Sequence, residues 1–452
     1  MKYASYKATD QQWTPIIPEH WNFWRAKRLF DNPKEKNDDN KENNILSLTL
    51  RGVIRNSREN PIGLSPADYA TYQIFEPDDL AFKLIDLENV STSRVGIVPE
   101  RGIMSSAYIR FSAREPLNIR YYYYQYHDWW LRQIYNGLGA GVRQTLSAQE
   151  LLNLKLAVPP REEQDQIVRY LDWQVSKINK LIHGYQRQIK LLEERKQSII
   201  DIATTEGIDG TDLKDSGTHW VKKIPSHWEM VYSKKLFSER KDKAFPDDEQ
   251  LTSSQKYGVI SQREFMEREG RRVTVVMTGN DILKHVGKGD FVISMRSFQG
   301  GLEYSYVEGK ISSAYVMLIP REGKVYDEYF KWLLKSRQYI KALQGTSDLV
   351  RDGQALRYAN FAKVPLPIIP LDEQKRIADH IQAETAKIDY AIPKIQREID
   401  LLREYRTRLI SDVVTGQMDV RGIEIPEYTP EEDADNTTDM EDAVEEEVLE
   451  DE

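Results

Sequence analysis

Two histidines of this 452-residue chain stand in matching surroundings, where an imidazole ring could take part in chemistry. His20 lies in residues 17–21 (IPEHW), and His227 lies in residues 224–228 (IPSHW). Because histidine titrates near neutral pH, either ring could act in acid–base catalysis or contact nucleic acid. The alternative is that the histidine and the following tryptophan hold the first segment of a module in place. We favour this structural interpretation.

The tyrosine run of residues 121–124 offers aromatic faces. Such rings could stack on nucleic-acid bases. The alternative, which we favour, is that the run begins a helix and buries Tyr121 and Tyr124 on its inner face.

The sequence lacks the motifs of several enzyme classes. No G-x-x-x-x-G-K-[ST] phosphate loop occurs, since residues 287–289 (GKG) lack its spacing and its hydroxyl residue. There is no G-x-S-x-G elbow, no H-E-x-x-H spacing among the seven histidines, and no methyltransferase motif. A nuclease pattern can be assembled only from Pro246-Asp247 and the distant residues 308–310 (EGK). The sequence therefore predicts no catalytic or metal centre in this chain.

Composition indicates a soluble cytoplasmic protein. There is no cysteine, so disulfides and thiolate metal sites are impossible. Residues 1–12 have no apolar signal-peptide core, and no apolar run reaches membrane-spanning length. Residues 427–452 contain 14 acidic residues and no Lys or Arg, so within the total of −9 residues 1–426 carry a net charge of +5. This mild positive balance permits nucleic-acid binding without requiring it.

The elements that position these residues occur twice along the chain. Matches recur at an offset of 207 residues, which becomes 210 in the last pair: Trp13 and Trp220, residues 17–21 and 224–228, Phe30 and Phe237, residues 105–108 and 312–315 (SSAY), and Glu163-Gln164 and Glu373-Gln374. A repeat of this length is a whole domain with its connector, far longer than a solenoid unit of about 20–50 residues. The sequence therefore predicts two similar modules that grip something at two places.

The first part of each half, about residues 1–158 and 218–368, is rich in Tyr, Val, Ile, Gly and turn residues. Apolar runs such as residues 80–85 and 290–294 are typical of strands bounded by Pro, Asp and Gly. Shorter helical patterns occur between them. The predicted fold class of each module is therefore α/β, in the mixed α+β sense.

The second part of each half follows a proline break and is strongly helical. Its apolar positions alternate in spacings of four and three, the 3.5-residue period of a coiled-coil seam. The two seams match position for position: Leu171, Val175, Ile178, Ile182, Tyr185, Ile189, Leu192, Lys196, Ile199 and Ala203 correspond to Ile381, Thr385, Ile388, Ile392, Ile395, Ile399, Leu402, Arg406, Leu409 and Val413. Two such helices would pair as an antiparallel coiled coil with pseudo-two-fold symmetry. The alternative is that each helix packs on its own module.

Four motifs occur in the order signature, spacer entry, signature, spacer entry. They consist of residues 10–12 (DQQ), Trp13 and 17–21, then 158–160 (VPP), Glu163-Gln164 and Ile167, then 215–217 (DSG), Trp220 and 224–228, then 365–367 (PLP), Glu373-Gln374 and Ile377. The second copy resembles the opening signature of target-recognition domains in the specificity subunits of type I restriction-modification systems. The first copy departs from it, having DQQ where the second has DSG. The resemblance covers about residues 10 to 415 and leaves the acidic tail unexplained.

This resemblance implies a DNA-binding specificity subunit that is not an enzyme. In that family each target-recognition domain reads one half of a split, asymmetric DNA site, and the paired helices set the spacing and dock methyltransferase subunits. The implied partners are double-stranded DNA, two methyltransferase (modification) subunits and motor-nuclease (restriction) subunits, with no membrane. No cofactor is expected in this chain. S-adenosylmethionine, ATP and magnesium would belong to the partner subunits, which carry out methylation and cleavage in host defence.

The expected domain organisation has six segments. They are target-recognition domain 1 (1–160), spacer helix 1 (161–203), a linker (204–217), target-recognition domain 2 (218–370), spacer helix 2 (371–415) and a C-terminal extension with an acidic disordered tail (416–452). The tail is too acidic and too poor in apolar residues to pack. It is either a solvated extension, which we favour, or a DNA mimic that covers the basic modules.

If the modules read DNA, loop residues must contact phosphates and base edges. In the first module the candidates are Arg51, Arg55, Arg58, Lys83, Ser91, Thr92, Ser93, Arg94 and Arg143. In the second they are Arg263, Arg271, Arg272, Lys288, Arg296, Ser297, Gln299, Arg351 and Gln354. Arg143 and Arg351 occupy corresponding places before the spacer helices, which favours a phosphate or structural role for both.

Two other classes of function stay open. The chain could be a coiled-coil scaffold that binds proteins and reads no DNA, which salt-dependent binding to one defined duplex would exclude. It could also be a self-sufficient restriction enzyme, which the missing motifs disfavour.

Overall fold

The computed structural model describes residues 2–59, 68–85, 87, 93–139, 145–270, 282–294, 297–346 and 356–431. The chain divides into two compact units, one formed by residues 1–187 with 395–452 and the other by residues 188–394. Each unit therefore holds one globular module and a part of each long helix. None of the described helices contains an apolar stretch of membrane-spanning length.

The first module consists of short antiparallel strands and a few helices. Its described strands are β1 Tyr6–Gln11, β2 Thr14–Pro18, β3 Asn22–Arg25, β4 Phe30–Asp31, β5 Leu46–Thr49, β6 Gly52–Arg55, β7 Gln73–Phe75, β8 Leu80–Phe82, β9 Val95–Ile97, β10 Gly102–Met104, β11 Ile109–Ala113 and β12 Lys155–Val158. The helices are α1 Ile119–Leu131, α2 Ile134–Leu138 and α3 Ala148–Asn153, followed by the first spacer helix, α4 Arg161–Glu206. Single 3₁₀ turns lie at Ala26–Arg28, Asp38–Asn40 and Tyr69–Thr71.

The second module repeats this series. Its described strands are β13 Leu213–Asp215, β14 Lys223–Pro225, β15 Glu229–Tyr232, β16 Phe237–Arg240, β17 Leu251–Ser254, β18 Gly258–Ser261, β19 Lys284–Val286, β20 Phe291–Ile293, β21 Glu303–Tyr304, β22 Gly309–Ile311, β23 Val316–Pro320 and β24 Pro365–Ile368. The helices are α5 Gln262–Glu269, α6 Ser297–Gly300, α7 Asp327–Leu333, α8 Arg337–Gln344 and α9 Tyr358–Lys363, followed by the second spacer helix, α10 Leu371–Val414. One 3₁₀ turn lies at Ser233–Lys235.

Sheet topology is the same in both modules. The first has a four-stranded sheet in the order β4-β11-β8-β9 with the pairs β1-β2, β3-β12, β5-β6 and β7-β10. The second has β16-β23-β20-β21 with β13-β14, β15-β24, β17-β18 and β19-β22. Every strand therefore has its counterpart at about the repeat offset, which confirms two similar mixed α/β modules.

A repeated phenylalanine lies in the core of each module. Phe30 is fully buried and lies 5.8 Å from Phe111, measured between ring centroids. The matching Phe237 is also fully buried and lies 5.6 Å from Phe291 and 5.3 Å from Phe330. Burial of such a side chain contributes roughly 1.5–3 kcal/mol, so the match at this position reflects packing.

The two seams of the spacer helices are covered along their whole length. All twenty seam positions are buried or partly buried. By contrast Tyr390, which lies off the seam of α10, is 68% exposed. The α10 helix also continues through Pro393, so this proline does not end it. The predicted coiled-coil seam is confirmed.

Contacts within each unit show that the helices run antiparallel. In the first unit Asn179 of α4 meets Arg406 of α10 at 2.8 Å, and Tyr170, earlier in α4, meets Met418, beyond the end of α10. In the second unit, Lys196 meets Asp389 at 2.5 Å. Further along α4 and its connection, Asp209 meets Arg376 at 2.8 Å. In each unit, residues later in α4 therefore contact residues earlier in α10, which is the arrangement of antiparallel helices.

The predicted linker 204–217 is largely structured, which corrects that expectation. The α4 helix continues to Glu206, and β13 pairs with β14 so that Leu213 lies opposite Pro225. All three β13 residues are exposed. Because neither face of this strand is buried, it needs no alternating apolar residues, and the sequence therefore shows no sign of a strand there. This strand belongs to the second module, as β1 belongs to the first.

After α10 the chain folds back along α4. The Gln166 side chain donates to the carbonyl of Ile423 at 2.8 Å, and the Ser176 hydroxyl accepts a hydrogen bond from the Glu431 amide at 2.7 Å. Residues 427–431, predicted as the start of a disordered tail, are therefore packed on the helix. The residues after Glu431 lie outside the described part.

Candidate nucleic-acid interface

A buried glutamate joins the first spacer helix to the entry segment of its module. Glu163, which is 5% exposed, accepts a hydrogen bond from the Trp21 indole at 3.1 Å and lies 2.9 Å from His20 Nε2. The Tyr3 hydroxyl donates to the same carboxylate. Burial, and then this carboxylate, raise the pKa of Tyr3, so the hydroxyl stays a donor at physiological pH.

The second module contains the same arrangement. Glu373, 7% exposed, accepts from the Trp228 indole at 3.0 Å and lies 2.8 Å from His227 Nε2. In both copies the histidine contacts a carboxylate that also holds a tryptophan. This geometry supports the structural interpretation of the histidines. The repeated Glu-Gln pair was recognised in the sequence, but the contact of its glutamate with the tryptophan and histidine of the entry segment was not predicted.

The tyrosine run belongs to the core of the first module. Tyr121 and Tyr122 are fully buried, and Tyr124 is 5% exposed. The Tyr124 hydroxyl donates to Asp172 of α4 at 2.6 Å, and the Tyr121 hydroxyl donates to a backbone carbonyl of β12. These three rings are not available for stacking on bases.

Several predicted contact residues of the first module reach solvent. Arg51 is exposed in the turn between β5 and β6. Arg55, at the end of β6, is 73% exposed and forms a two-point ion pair with Glu100. Lys83 follows β8 and is partly buried. Arg55 would have to release Glu100 before it could bind a phosphate.

Arg58 lies beside an aromatic ring. Its guanidinium donates to Asn43 at 3.0 Å and lies 4.9 Å from the centre of the Tyr69 ring. The Tyr69 carbonyl in turn accepts from the side chain of Asn37 at 3.4 Å. Arg58 is thus held near the segment that precedes β5.

Two predicted contact residues of the first module are buried, which corrects their assignment. Ser93 is 2% exposed, and its hydroxyl donates to the Val95 carbonyl at 2.7 Å. Arg94 is 2% exposed and donates to the carbonyls of Lys83 and Ile85, each at 3.3 Å. Both side chains satisfy backbone oxygens, so they hold the loop and present no free donors to DNA.

In the second module the predicted residues divide in the same way. Arg263 is exposed in the first turn of α5, Lys288 is exposed in the turn between β19 and β20, and Gln299 is exposed in α6. Ser297 is fully buried, and its hydroxyl accepts from the Ser294 amide at 2.8 Å. Ser297 is therefore a structural residue, and the other three stay candidates.

Eight further candidates lie outside the described residues. They are Ser91, Thr92, Arg143, Arg271, Arg272, Arg296, Arg351 and Gln354. Where the structure does describe the chain, no group of three or more His, Asp or Glu side chains could hold a metal ion.

Sequence reasoning missed one further match between the modules. Lys34-Glu35-Lys36 and Lys241-Asp242-Lys243 are also 207 residues apart, and all four lysines are exposed. The signal was present in the sequence, since Phe30 and Phe237 precede the two segments by the same interval.

The repeated architecture has a counterpart among known protein families. The type I restriction modification DNA specificity domain matches twice, over residues 18–191 and 225–400. These matches cover most of the chain and coincide with the two modules and the larger part of each spacer helix. The chain belongs to this family of specificity subunits.

Individual relatives agree with this assignment. The chain is 24% identical over 285 residues to a putative type I restriction enzyme MjaX specificity subunit from Methanocaldococcus jannaschii, covering 62% of this chain and 63% of that protein. It is 23% identical over 283 residues to the MjaVIII specificity subunit of the same organism, covering 60% and 64%. The chain thus spans slightly less than two thirds of the length of these relatives.

A solved structure shares the fold. It concerns the complex assembly and conformational transition of the type I R-M system, and one of its chains aligns with a TM-score of 0.62 at 13% identity. The alignment covers 88% of this chain and 98% of the other. At this identity the likeness concerns the fold alone.

Proposed function

We propose that this chain gives sequence specificity to a type I restriction-modification complex, with each module reading one half of a bipartite, asymmetric DNA site. The observation that carries the proposal is the unequal divergence of the two copies. The strand order, the glutamate–tryptophan contact and the helix seam are repeated, whereas the loop residues that could reach DNA differ. Two similar frames with different loops suit two different half-sites.

The exposed cations are placed in keeping with this role. Arg51, Arg58, Arg263 and Lys288 lie in turns or in a first helical turn, where the backbone can follow a groove. Arginine and lysine at such places contact phosphates and guanine edges. Of the other candidates, we retain Arg55, Lys83 and Gln299, together with the eight that lie outside the described residues. We no longer propose Ser93, Arg94 and Ser297, because they are buried.

The spacer helices would act as a ruler and as the docking site of two methyltransferase subunits. In this proposal motor-nuclease subunits join them, and those partners bring S-adenosylmethionine, ATP and magnesium in the cytoplasm. The chain itself makes and breaks no bonds. The six segments expected from the sequence stay our proposal for its organisation, with the linker shortened and the tail beginning after Glu431.

Methylation-sensitive sequencing of a host that expresses the complex tests the proposal. We would compare the native chain with a variant carrying one heptad inserted after Arg187 and one after Lys394, which preserves the register of the seam. Seven residues lengthen a helix by about 10 Å, or about three base pairs. The methylated half-sites should stay the same while the gap between them grows. An unchanged gap would refute the ruler, and methylation without any bipartite site would refute the half-site reading.

A further inference from the structure

The paired lysines are held by the same backbone contacts in both modules. In the first, Lys36 forms a β-bridge with Gln73, and the Glu35 carbonyl accepts from the Ile74 amide at 2.8 Å. Lys36 is thus fixed beside Gln73, and Lys34 lies two residues before it.

The second module repeats this geometry. Lys243 forms a β-bridge with Lys284, and the Asp242 carbonyl accepts from the His285 amide at 3.0 Å. Lys243 is thus fixed beside Lys284, and Lys241 lies two residues before it. The acidic residue between them is held elsewhere, since the Asp242 carboxylate lies 2.9 Å from Arg240.

In the first module the acidic residue between the lysines lies near two arginines. The Glu35 carboxylate lies 3.9 Å from Arg110 and 4.0 Å from Arg101. Among the described residues, none of the four lysine ammonium groups has an ion-pair partner. Each module thus carries two exposed lysines, one residue apart, that form no ion pair with a described residue.

The residue that bridges to the second lysine of each pair also holds a repeated turn. Gln73 donates from its side chain to the carbonyl of Tyr108, and Lys284 donates to the carbonyl of Tyr315 at 2.7 Å. These tyrosines end the repeated Ser-Ser-Ala-Tyr turns. Each turn is closed by a backbone hydrogen bond: the Tyr108 amide donates to the Ser105 carbonyl at 3.0 Å, and the Tyr315 amide donates to the Ser312 carbonyl at 3.1 Å.

The tip of each turn is exposed at Ser106 and at Ser313. In the first module Ser106 lines a cleft of about 420 Å³ together with Lys34, Glu35 and Lys36. The serine and both lysines therefore border one open space, with Glu35 between the lysines. In the second module, Lys241 and Lys243 likewise come after β16, and Ser313 likewise comes after β22.

Packing explains why equivalent buried positions of the two modules carry the same residue type. It does not explain the lysines and serines that are repeated at exposed positions. The loops that would distinguish the half-sites differ, so a ligand common to both modules must lack sequence information. The sugar–phosphate backbone of duplex DNA fits, because it is identical at every half-site and is bound by lysine and by serine hydroxyls. We propose that Lys34, Lys36 and Ser106 in one module, and Lys241, Lys243 and Ser313 in the other, form a duplicated phosphate clamp that sets the register of each module on DNA. This inference rests on the proposed DNA reading.

The salt dependence of DNA affinity tests the clamp. We would use the complex that co-purifies with the full-length chain, a short fluorescent duplex containing the methylated site, and a duplex with that site scrambled. Each phosphate contact contributes about 0.9 to the slope of log K against log salt concentration. Lys34→Gln with Lys36→Gln should lower that slope by about 2 and weaken binding at 0.1 M salt at least about tenfold. Both duplexes should be affected alike.

The matched control is Lys222→Gln with Lys223→Gln, which removes two exposed charges from the entry segment of the second module. Its slope should stay at the native value. If the native complex prefers its site but the Lys34/Lys36 variant keeps the native slope, the clamp is refuted and the proposed function stands. If the native complex binds both duplexes equally and the variant lowers the slope, the clamp stands and half-site reading falls. Absence of DNA binding by the native complex would refute both.

Discussion

Arg406 of the second spacer helix donates to Asn179 of the first at 2.8 Å, and the matching positions of the other copy are occupied by Lys196 and Asp389, which lie 2.5 Å apart. At the 210-residue offset, Asn179 is equivalent to Asp389 and Lys196 is equivalent to Arg406. A seam position and a position next to the seam therefore meet in each unit, once as a buried arginine–amide contact and once as an ion pair nearer the solvent. Arg406 is 7% exposed, whereas the side chains of Lys196 and Asp389 are 29% and 51% exposed.

This difference in burial predicts unequal costs for two equivalent substitutions. Asn179→Ala removes a partner of a buried guanidinium and should lower the free energy of unfolding by roughly 1–3 kcal/mol. Asp389→Ala breaks an exposed ion pair and should cost less than about 1 kcal/mol. Urea unfolding, followed by hydrogen exchange in peptides from each unit, measures both. Equal losses would mean that Arg406 does not depend on Asn179.

The glycines that end the two spacer helices allow a second matched comparison. Gly207 and Gly416 both have φ of +73°, which disfavours any residue with a side chain. A Cβ at residue 416 would stand 2.4 Å from Pro18 Cδ, whereas a Cβ at residue 207 would stand 3.5 Å from Pro225 and Trp228.

Gly416→Ala should therefore lower the free energy of unfolding by roughly 2–5 kcal/mol, from backbone strain together with overpacking. Gly207→Ala carries the backbone strain alone and should cost roughly 1–2 kcal/mol. Denaturant unfolding of the two variants gives the comparison. A larger loss for Gly207→Ala would contradict the close approach of Pro18 to Gly416.

His127 of α1 predicts a pH dependence of stability. Burial, followed by the positive charge of Arg406, lowers the pKa of His127 to about 3. The unfolded chain takes up this proton near pH 6.5. The stability contributed by the neutral ring is thus complete above about pH 6.5 and is lost as pH falls toward 3.

His127→Phe retains an aromatic ring beside Tyr123 and Trp130 but cannot titrate. Between pH 7 and pH 5 the native chain should lose up to about 2 kcal/mol more than this variant. The ring keeps some contact with solvent, so that figure is an upper bound. Unfolding curves at both pH values provide the measurement, and identical pH dependence of the two proteins would exclude a buried neutral His127.

Two truncations separate the packed C-terminal segment from the acidic tail. Deleting residues 423–452 removes the contact of Ile423 with Gln166 and those of Thr429 and Glu431 with Ser176, so amide exchange in residues 161–187 should rise. Deleting only 432–452 removes twelve acidic residues and should leave that exchange unchanged.

The shorter deletion also distinguishes the two interpretations of the tail. DNA affinity at fixed salt should be the same with and without residues 432–452 if the tail is a solvated extension. A rise in affinity on deletion would show that the tail covers the basic surface of the modules.

Features with a local period were predictable from the sequence, and features made by distant residues were not. The seam followed from spacings of four and three, because one helix face must repeat every 3.5 residues. The contact of Glu163 with Trp21 joins residues 142 positions apart, and no local pattern specifies it. Loop cations were the least predictable, since the sequence does not distinguish the buried Arg94 from the exposed Arg51.

The first unit is assembled from two segments that are far apart in the sequence, so it cannot be completed as early in synthesis as a contiguous unit. Residues 188–394 are contiguous and form the whole second unit, so that unit can fold once they have left the ribosome. The first unit needs residues after 395 to cover α4 and to meet Pro18 through Gly416. The module synthesised first is therefore completed last. Until residues 395–414 have been synthesised, its half of the α4 seam lacks the α10 residues that cover it.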